Sequence, residues 1–250
     1  MPCVIETSVS EDLLALDSGD GKRIVAVMEA FIDESGTHKD ASIVNVAAWV
    51  GAHWQWKKFL SYWDDRYFHA RDPKCAPLKQ ALFEAIGFGE LRGFTAWMEP
   101  KDYADHATAH FRSALGNPYS VCAFACAMGV CKFCKRDNLG KVAFVIEDGQ
   151  PNVEFVRETL EFMKCKERFG IASIAIASKK DFVQLCTADF LAHSRFSNGQ
   201  WFDALYDTER VYQDHVTPER VVRMSRQLTE GIKRIKRERK LLKTLTSEGE

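Results

Sequence analysis

The sequence has no long apolar run. Hydrophobic residues make up 46% of its 250 positions, but no stretch approaches the roughly 18–20 consecutive apolar residues that a membrane-spanning helix needs. The first ten residues also lack a basic stretch followed by an apolar core, which is the pattern of a secretory signal. We therefore expect a protein that works in the cytoplasm and has no membrane partner.

A complete phosphate-binding loop is also missing. Residues 18–22 read SGDGK, but they lack the full G-x-x-x-x-G-K-[ST] spacing and precede the first predicted strand instead of following one. This absence argues against an ATPase. It leaves residues 1–22 as a flexible N-terminal segment.

No charge of one sign dominates, since the formal net charge is −1. The distribution is uneven, however, because residues 218–250 hold ten basic and five acidic residues and the first 217 residues hold 24 and 30. A basic segment on an acidic body provides a local contact for phosphates and not a broad nucleic-acid-binding surface. We predict a basic helical tail over 218–250. It is either solvated, in contact with a second copy of the chain, or bound to nucleic acid through Lys233, Arg234, Lys236 and Arg237.

Disulfide bonds are not expected, although the chain has eight cysteines, because no secretory signal accompanies them. Four of the cysteines fall in one apolar helical stretch: Cys122, Cys126, Cys131 and Cys134. Ligands strung along one helix cannot surround a tetrahedral zinc ion. We therefore predict that these thiols pack in the core as small hydrophobic groups.

Continuous apolar segments predict an α/β fold. Five of them are typical of strands, at about residues 24–33, 42–50, 92–99, 142–146 and 171–177. Helical patterns separate them, at about residues 53–68, 78–86, 119–135, 151–169 and 182–196. A short loop between the first two strands indicates an antiparallel hairpin. The later alternation of strands and helices indicates parallel strands buried on both faces and placed beside the first strand.

The predicted architecture is thus a mixed five-stranded sheet flanked by helices. We place this domain at residues 23–217. Residues 197–217 show no clear periodicity and are predicted to be irregular.

Acidic residues stand where two predicted strands end. Asp33 and Glu34 close the first strand, and Glu147 and Asp148 close the strand at 142–146. The carboxyl ends of neighbouring parallel strands meet at one edge of a sheet, where α/β folds carry their sites. Asp189 lies in the last predicted helix among apolar neighbours, where an unpaired carboxylate is costly.

These acids allow two interpretations. They are separate turns and caps, because Asp, Ser and Gly favour turns, and Asp189 then pairs with a backbone amide or with Lys180. Alternatively, Asp33, Glu147 and Asp189 converge, with Glu34 or Asp148 as an auxiliary ligand. Such a set of oxygen atoms suits Mg²⁺ or Mn²⁺. Two such ions about 3.5–4 Å apart can hydrolyse a phosphodiester.

Six segments resemble the domain-of-unknown-function 3800 family of bacteria and phages, which has an RNase H-like fold. They are FIDESG at 31–36, WVG at 49–51, FHARD at 68–72, FVIEDG at 144–149, SKKD at 178–181 and LCTADFLA at 185–192. The resemblance implies an RNase H-like fold and a metal-dependent, nuclease-like site. In that site Asp33, Glu147 and Asp189 match the acidic positions.

The resemblance also covers polar positions around the acids. Glu34 and His69 match further polar positions of the family, and we expect His69 to move a proton or to contact a phosphate. Lys180 matches a basic position that holds a phosphate or pairs with a carboxylate. The chain departs from the family at Cys186, where a glutamine is usual, so the surroundings of Asp189 differ.

Two functions follow as hypotheses. The first is a nuclease that hydrolyses DNA or RNA with Mg²⁺ or Mn²⁺ held by the converging acids. The alternative is a non-catalytic RNase H-like binding or adaptor module that keeps the fold, with or without a structural metal. The acidic body of the chain and Cys186 favour this alternative.

Overall fold

A mixed α/β fold is seen in the computed structural model, which describes residues 27–230 except for 39, 65, 150–152, 198–199, 207–208 and 228. The strands are β1 (Val27–Ser35), β2 (Val44–Ala52), β3 (Arg92–Met98), β4 (Lys141–Glu147), β5 (Ile171–Ala177) and β6 (Val211–His215). The helices are α1 (His53–Trp63), α2 (Lys79–Phe88), α3 (Pro100–His106), α4 (Ala109–Leu115), α5 (Pro118–Arg136), α6 (Val153–Lys164), α7 (Leu185–Ser197) and α8 (Gln200–Tyr206). Short 3₁₀ segments occur at Pro73–Leu78 and Glu167–Phe169, and residues 218–227 are also helical.

The strands form one six-stranded sheet in the order β5-β4-β1-β2-β3-β6. The predicted antiparallel hairpin of β1 and β2 is confirmed, and so are the parallel neighbours β4 and β5 beside β1. The predicted count of five strands is wrong, because β6 pairs with β3 at the edge of the sheet. Of the five residues of β6 only Val211 is buried, so this edge strand left no apolar run in the sequence.

Residues 197–217 are therefore not irregular as predicted. They contain α8 as well as β6. Both elements are short, and short elements carry too few repeats for their periodicity to stand out.

Two helical layers cover the sheet and enclose two separate cores. One core lies between the sheet and α3, α4, α5 and α6, and the other lies between the sheet and α1, α2, α7 and α8. Side chains of a strand alternate between its two faces. Phe31 of β1 accordingly packs against the α1 and α7 layer, whereas the next residue, Ile32, packs against the α5 layer. This alternation decides which layer each acidic residue of β1 meets.

The four cysteines of α5 are buried and free, so their predicted packing in the core is confirmed. Burial raises the pKa of the Cys131 and Cys134 thiols to about 12. These thiols therefore stay protonated at neutral pH, which is the state in which cysteine packs as an apolar group.

Part of the predicted tail belongs to the folded core. Val221, in the helical residues 218–227, is buried in the core on the α5 side of the sheet. Lys233, Arg234, Lys236 and Arg237 lie outside the described residues, as does the predicted N-terminal segment 1–22.

In the part of the chain that the structure describes, no single helix is long and apolar enough to span a membrane. By length and composition alone, α4 and α5 pass that criterion as a pair bent by 66°.

Candidate functional site

Asp33 and Glu147 lie side by side at the end of the parallel ladder between β1 and β4. That ladder runs up to the pair formed by Ile32 and Ile146, so the next residue of each strand is one of the two acids. The first strand was predicted to end at about residue 33, but β1 continues to Ser35, and the side chain of Asp33 is buried within the sheet. The register brings the two carboxyl groups to the same face of the sheet.

Asp189 reaches these acids because α7 is hydrogen-bonded to β2 at residues on both sides of Asp189. Trp49 Nε1 donates to the carbonyl of Thr187 at 3.0 Å, and Asn45 Nδ2 donates to the carbonyl of Ala192 at 3.1 Å. Both donors are fully buried. The two bonds set the position of α7 along the sheet, and Asp189 lies between them.

A single ammonium group joins the three acids. Lys179 Nζ lies 2.9 Å from Asp33 Oδ2, 2.5 Å from Glu147 Oε1 and 3.4 Å from Asp189 Oδ2. Burial by itself would lower the pKa of Lys179, but the surrounding charges of Asp33, Asp189 and Glu147 raise it well above its ordinary value. Lys179 is therefore charged at neutral pH and balances part of the negative charge of the site.

The neighbouring Lys180, which was singled out from the sequence, is exposed. Its backbone amide donates to Ser178 Oγ at 3.2 Å, and the carboxylate contacts belong to Lys179. Asp148 is also exposed, because it follows β4 in a turn where its Oδ1 accepts the amide hydrogen of Gly149 at 2.6 Å. Neither side chain contacts the three joined acids within the described part of the chain.

Glu34 is the fourth carboxyl group of the site. Strand alternation directs its side chain towards the α5 layer, and its charge acts on the buried Tyr119 of that helix more strongly than the charge of Asp33 or Glu147 does. Burial and the charge of Glu147 raise the pKa of Glu34 to about 8. Glu34 Oε2 is buried and has no hydrogen-bond partner among the described residues.

Negative charge is in excess at this site. Asp33, Glu147 and Asp189 share one ammonium group, and the charge of Glu34 acts on Asp33 from the next position of β1. Burial raises the pKa of Asp33 well above its ordinary value, and a hydrogen bond with Glu147 and the charge of Glu34 raise it further. Asp33 and Glu34 thus tend to hold protons because there is too little positive charge to stabilise four carboxylates.

The segment between α1 and α2 is hydrogen-bonded to α7 at the site. The backbone amide of Ala70 donates to Asp189 Oδ2 at 2.9 Å, and Cys186 Sγ donates to the carbonyl of Phe68 at 3.1 Å. Cys186, the departure from the family pattern, therefore tethers the segment that carries His69 to α7. His69 is half-buried and lies near Glu147, so that a positive charge on its ring, when protonated, helps to lower the pKa of that carboxyl group.

Sequence reasoning missed three residues that shape the site: Lys179, Asn45 and His193. The SKKD segment offered two adjacent lysines without a sign of which one turns inwards. His193 lies four residues after Asp189 on the same helix, and this spacing alone places both on one helical face. Asn45 gave a weaker signal, as a polar residue within an otherwise apolar strand.

Comparisons with known proteins give similarity in structure only. No family model matches the chain, and no curated protein matches its sequence. The PCNA:RNase HII complex from Archaeoglobus fulgidus matches with a TM-score of 0.44 and 14% identity, covering 72% of this chain and 79% of that chain. Ribonuclease H2 from Pyrococcus horikoshii OT3 matches with a TM-score of 0.43 and 11% identity, covering 74% and 81%.

Bst-RNase HIII, solved in complex with Mn²⁺, matches with a TM-score of 0.43 and 14% identity. It covers 70% of this chain and 54% of that chain. All three TM-scores and identities are too low to assign the chain to a family or to transfer a function to it.

The chemistry of the site suits a hard divalent cation, whereas the present spacing of its donor atoms suits an ammonium group. Every donor is a carboxylate oxygen, the ligand that Mg²⁺ and Mn²⁺ prefer, and within the described residues the buried Oε2 of Glu34 has no hydrogen-bond partner. Over the described residues, however, no group of three or more His, Cys, Asp or Glu side chains is arranged to hold a metal ion. The carboxylates are spread around Lys179, so a metal has to compete with that lysine for them.

Proposed function

We propose that this chain is a divalent-metal-dependent phosphodiesterase that acts on nucleic acid. The observation that carries the proposal is the convergence of Asp33, Glu147 and Asp189 on a single cation at the carboxyl end of β1 and β4. Two strands and a helix that are distant in sequence supply these acids, and their burial costs stability that a purely structural contact does not require. Such a cost is typical of functional sites.

Asp33, Glu147 and Asp189 would hold Mg²⁺ or Mn²⁺, with Glu34 as the auxiliary ligand. Asp148 is exposed, whereas Glu34 is buried and its Oε2 has no hydrogen-bond partner among the described residues. The side chain of Glu34 points to the α5 layer, so it has to turn towards the face that Asp33 and Glu147 share when it binds the cation. When bound, a divalent cation supplies Lewis acidity and neutralises the negative charge of a phosphodiester. Lys179 balances the same carboxylates, so it has to give up part of its contacts when the cation binds.

Nucleic acid is the proposed substrate because metal ions held by carboxylates suit phosphodiester hydrolysis and a basic tail suits contacts with a phosphate backbone. The proposal includes phosphate contacts from Lys233, Arg234, Lys236 and Arg237, which lie outside the described residues. Action in the cytoplasm, the domain bounds 23–217 and self-association through the tail stay predictions.

A cleavage assay tests the proposal directly. Single- and double-stranded DNA and RNA are incubated with the protein in Mg²⁺, in Mn²⁺ and in EDTA, and the products are separated by size. We expect cleavage with either metal and none in EDTA. Asp33→Asn should abolish it, whereas Asp148→Asn, the matched change at an exposed acid, should retain most of it. Cleavage that Asp33→Asn leaves unchanged contradicts the proposal.

The alternative is a non-catalytic binding module, and one observation favours it. Lys179 already provides a cation for all three acids, so the cluster is stable as an internal salt bridge without metal. Calorimetric titration with Mn²⁺ separates the two functions. Binding that disappears in Asp33→Asn and Asp189→Asn supports the metal site, and absence of binding at millimolar Mn²⁺ supports the module.

A further inference from the structure

Basic side chains border the acidic site on the side of the segment that joins α1 to α2. Arg71 and Lys79 both belong to this part of the chain, and neither forms an ion pair within the described residues. Arg71 Nη2 lies 3.4 Å from Ser35 Oγ, two residues after Asp33 on β1. The nearby carboxylate of Asp72 is already used, because its Oδ1 accepts the amide hydrogen of Lys74 at 2.9 Å. Arg71 therefore lies beside the acids without being neutralised by them.

His69 presents a hydrogen-bond donor on the same side of the acidic site. Its Nδ1 accepts the backbone amide hydrogen of Arg71 at 3.3 Å, so the ring hydrogen of the neutral imidazole is on Nε2. The backbone of this segment is held in place by the bond from Ala70 to Asp189. His69 and Arg71 thus stand on a backbone that is fixed to the acidic site, and both side chains carry N–H donors.

His193 lies on α7, the helix that carries Asp189. Burial lowers its pKa, Asp189 opposes this shift, and the charges of Lys79, Arg71 and His69 add to it. The fold brings these groups to one side of the site, because His193 follows Asp189 by one turn of α7, and α2, which begins at Lys79, packs in the same core as α7. His193 Nδ1 is buried and has no hydrogen-bond partner among the described residues.

We propose that Arg71, Lys79, His69 and His193 form a phosphate-binding subsite that holds the backbone of a nucleic-acid strand beside the acidic centre. This inference rests on the proposed function and specifies how its substrate is held. Cationic and N–H donors bind phosphate oxygens, and a planar guanidinium donates two parallel hydrogen bonds to them. A carboxylate centre repels a phosphodiester in the absence of metal. A nucleic-acid strand therefore needs such a subsite to stay near the carboxyl ends of β1 and β4.

The test measures binding in EDTA, so that it is independent of the metal. Fluorescence anisotropy follows labelled single-stranded and duplex DNA and RNA binding to the whole protein over a range of salt concentrations. Arg71→Gln/Lys79→Gln is compared with Arg92→Gln/Lys132→Gln, which removes the same charge. Arg92 starts β3 opposite Val50, at the end of the sheet away from Ser35, and Lys132 is exposed on α5.

We expect the first double variant to weaken binding at least about 10-fold and to lower the slope of log affinity against log salt by about 2, one unit for each lost phosphate contact. The control variant should bind as the unmodified protein does. Equal losses in both variants, or no binding of any strand by the unmodified protein, overturn the inference.

Two further measurements separate this inference from the proposed function and from misfolding. Binding of Mn²⁺ by Arg71→Gln/Lys79→Gln should be unchanged, because neither residue contacts the acids. In the unmodified protein, the ring signals of His193 and His69 should shift in NMR spectra when inorganic phosphate or a short single strand is added. Histidine signals that do not move with either probe contradict the subsite, whereas failure of Mn²⁺ to bind contradicts only the proposed function.

Discussion

The ammonium group of Lys179 lies 2.9 Å from Oδ2 of Asp33, and both side chains are almost completely buried. The same ammonium also contacts Glu147 and Asp189, so one lysine provides the positive charge for acids from β1, β4 and α7. This arrangement explains how the protein buries several carboxylates where β1 and β4 end, because one buried cation offsets part of their charge. It also predicts that Lys179 and a divalent cation compete for the same carboxylates.

The first prediction concerns Lys179→Met. Removing one partner of a buried ion pair leaves the other charges uncompensated, so we expect the free energy of unfolding in EDTA to fall by about 3–5 kcal/mol. Urea unfolding followed by circular dichroism measures this loss. Lys180→Met is the matched control, since Lys180 is exposed, and it should change the free energy of unfolding by less than about 0.5 kcal/mol.

The second prediction concerns metal binding by the same variant. Without the competing ammonium, the carboxylates of Lys179→Met should bind Mn²⁺ at least about 10-fold more tightly than those of the unmodified protein. Ligand binding to the folded state raises the melting temperature. Mn²⁺ should therefore raise the melting temperature of Lys179→Met more than that of the unmodified protein. An equal or smaller rise would show that lysine and metal do not compete.

The third prediction concerns the dependence of stability on pH. The pKa of Glu34 is about 8 in the folded protein and has an ordinary value of 4.5. The folded state therefore holds this proton more tightly than the unfolded state does. The contribution of Glu34 to the free energy of unfolding consequently falls as pH rises from about 4.5 to about 8.

Glu34→Gln should remove this dependence, because glutamine does not ionise. At pH 8 we expect the variant to be more stable than the unmodified protein by about 1–3 kcal/mol, and at pH 5 to be close to it. Urea unfolding in EDTA at a series of pH values gives both curves. Parallel curves would mean that Glu34 does not titrate in this range.

The fourth prediction concerns the tether between α7 and the segment that carries His69. Cys186→Ala removes the bond from Cys186 Sγ to the carbonyl of Phe68, and we expect a loss of about 1 kcal/mol. Hydrogen exchange of the amides at residues 68–72 should become faster. Cys165→Ala, at an exposed cysteine, is the control and should change neither quantity. Unchanged exchange in Cys186→Ala would show that the segment is held by other contacts.

The strand pattern made β1, β2, β4 and β5 predictable because each contains an apolar run. β1, β2 and β4 are mostly buried, whereas β5 lies at the edge of the sheet and only its Ile171 is buried. The same criterion missed β6, which is buried at one residue only and pairs through its backbone. The predicted end of β1, at about residue 33, is also too early, because the strand continues to Ser35. Asp33, Glu34 and Ser35 are polar, but they continue the ladder with β2, and the protein compensates their burial through contacts that a local pattern does not contain.

By itself, the sequence determined that acids follow apolar strands at two places and that a third acid lies in an apolar helix. Those facts follow from hydrophobic periodicity, which is local. Only the tertiary structure decided that Lys179 and not Lys180 joins the acids, that Glu34 is buried while Asp148 is exposed, and that Arg71 lies against Ser35. The reason is physical: which of two adjacent residues turns inwards depends on strand register and on the position of α7 along the sheet. Both are set by contacts such as those of Asn45 and Trp49 with α7, which join residues more than 100 positions apart.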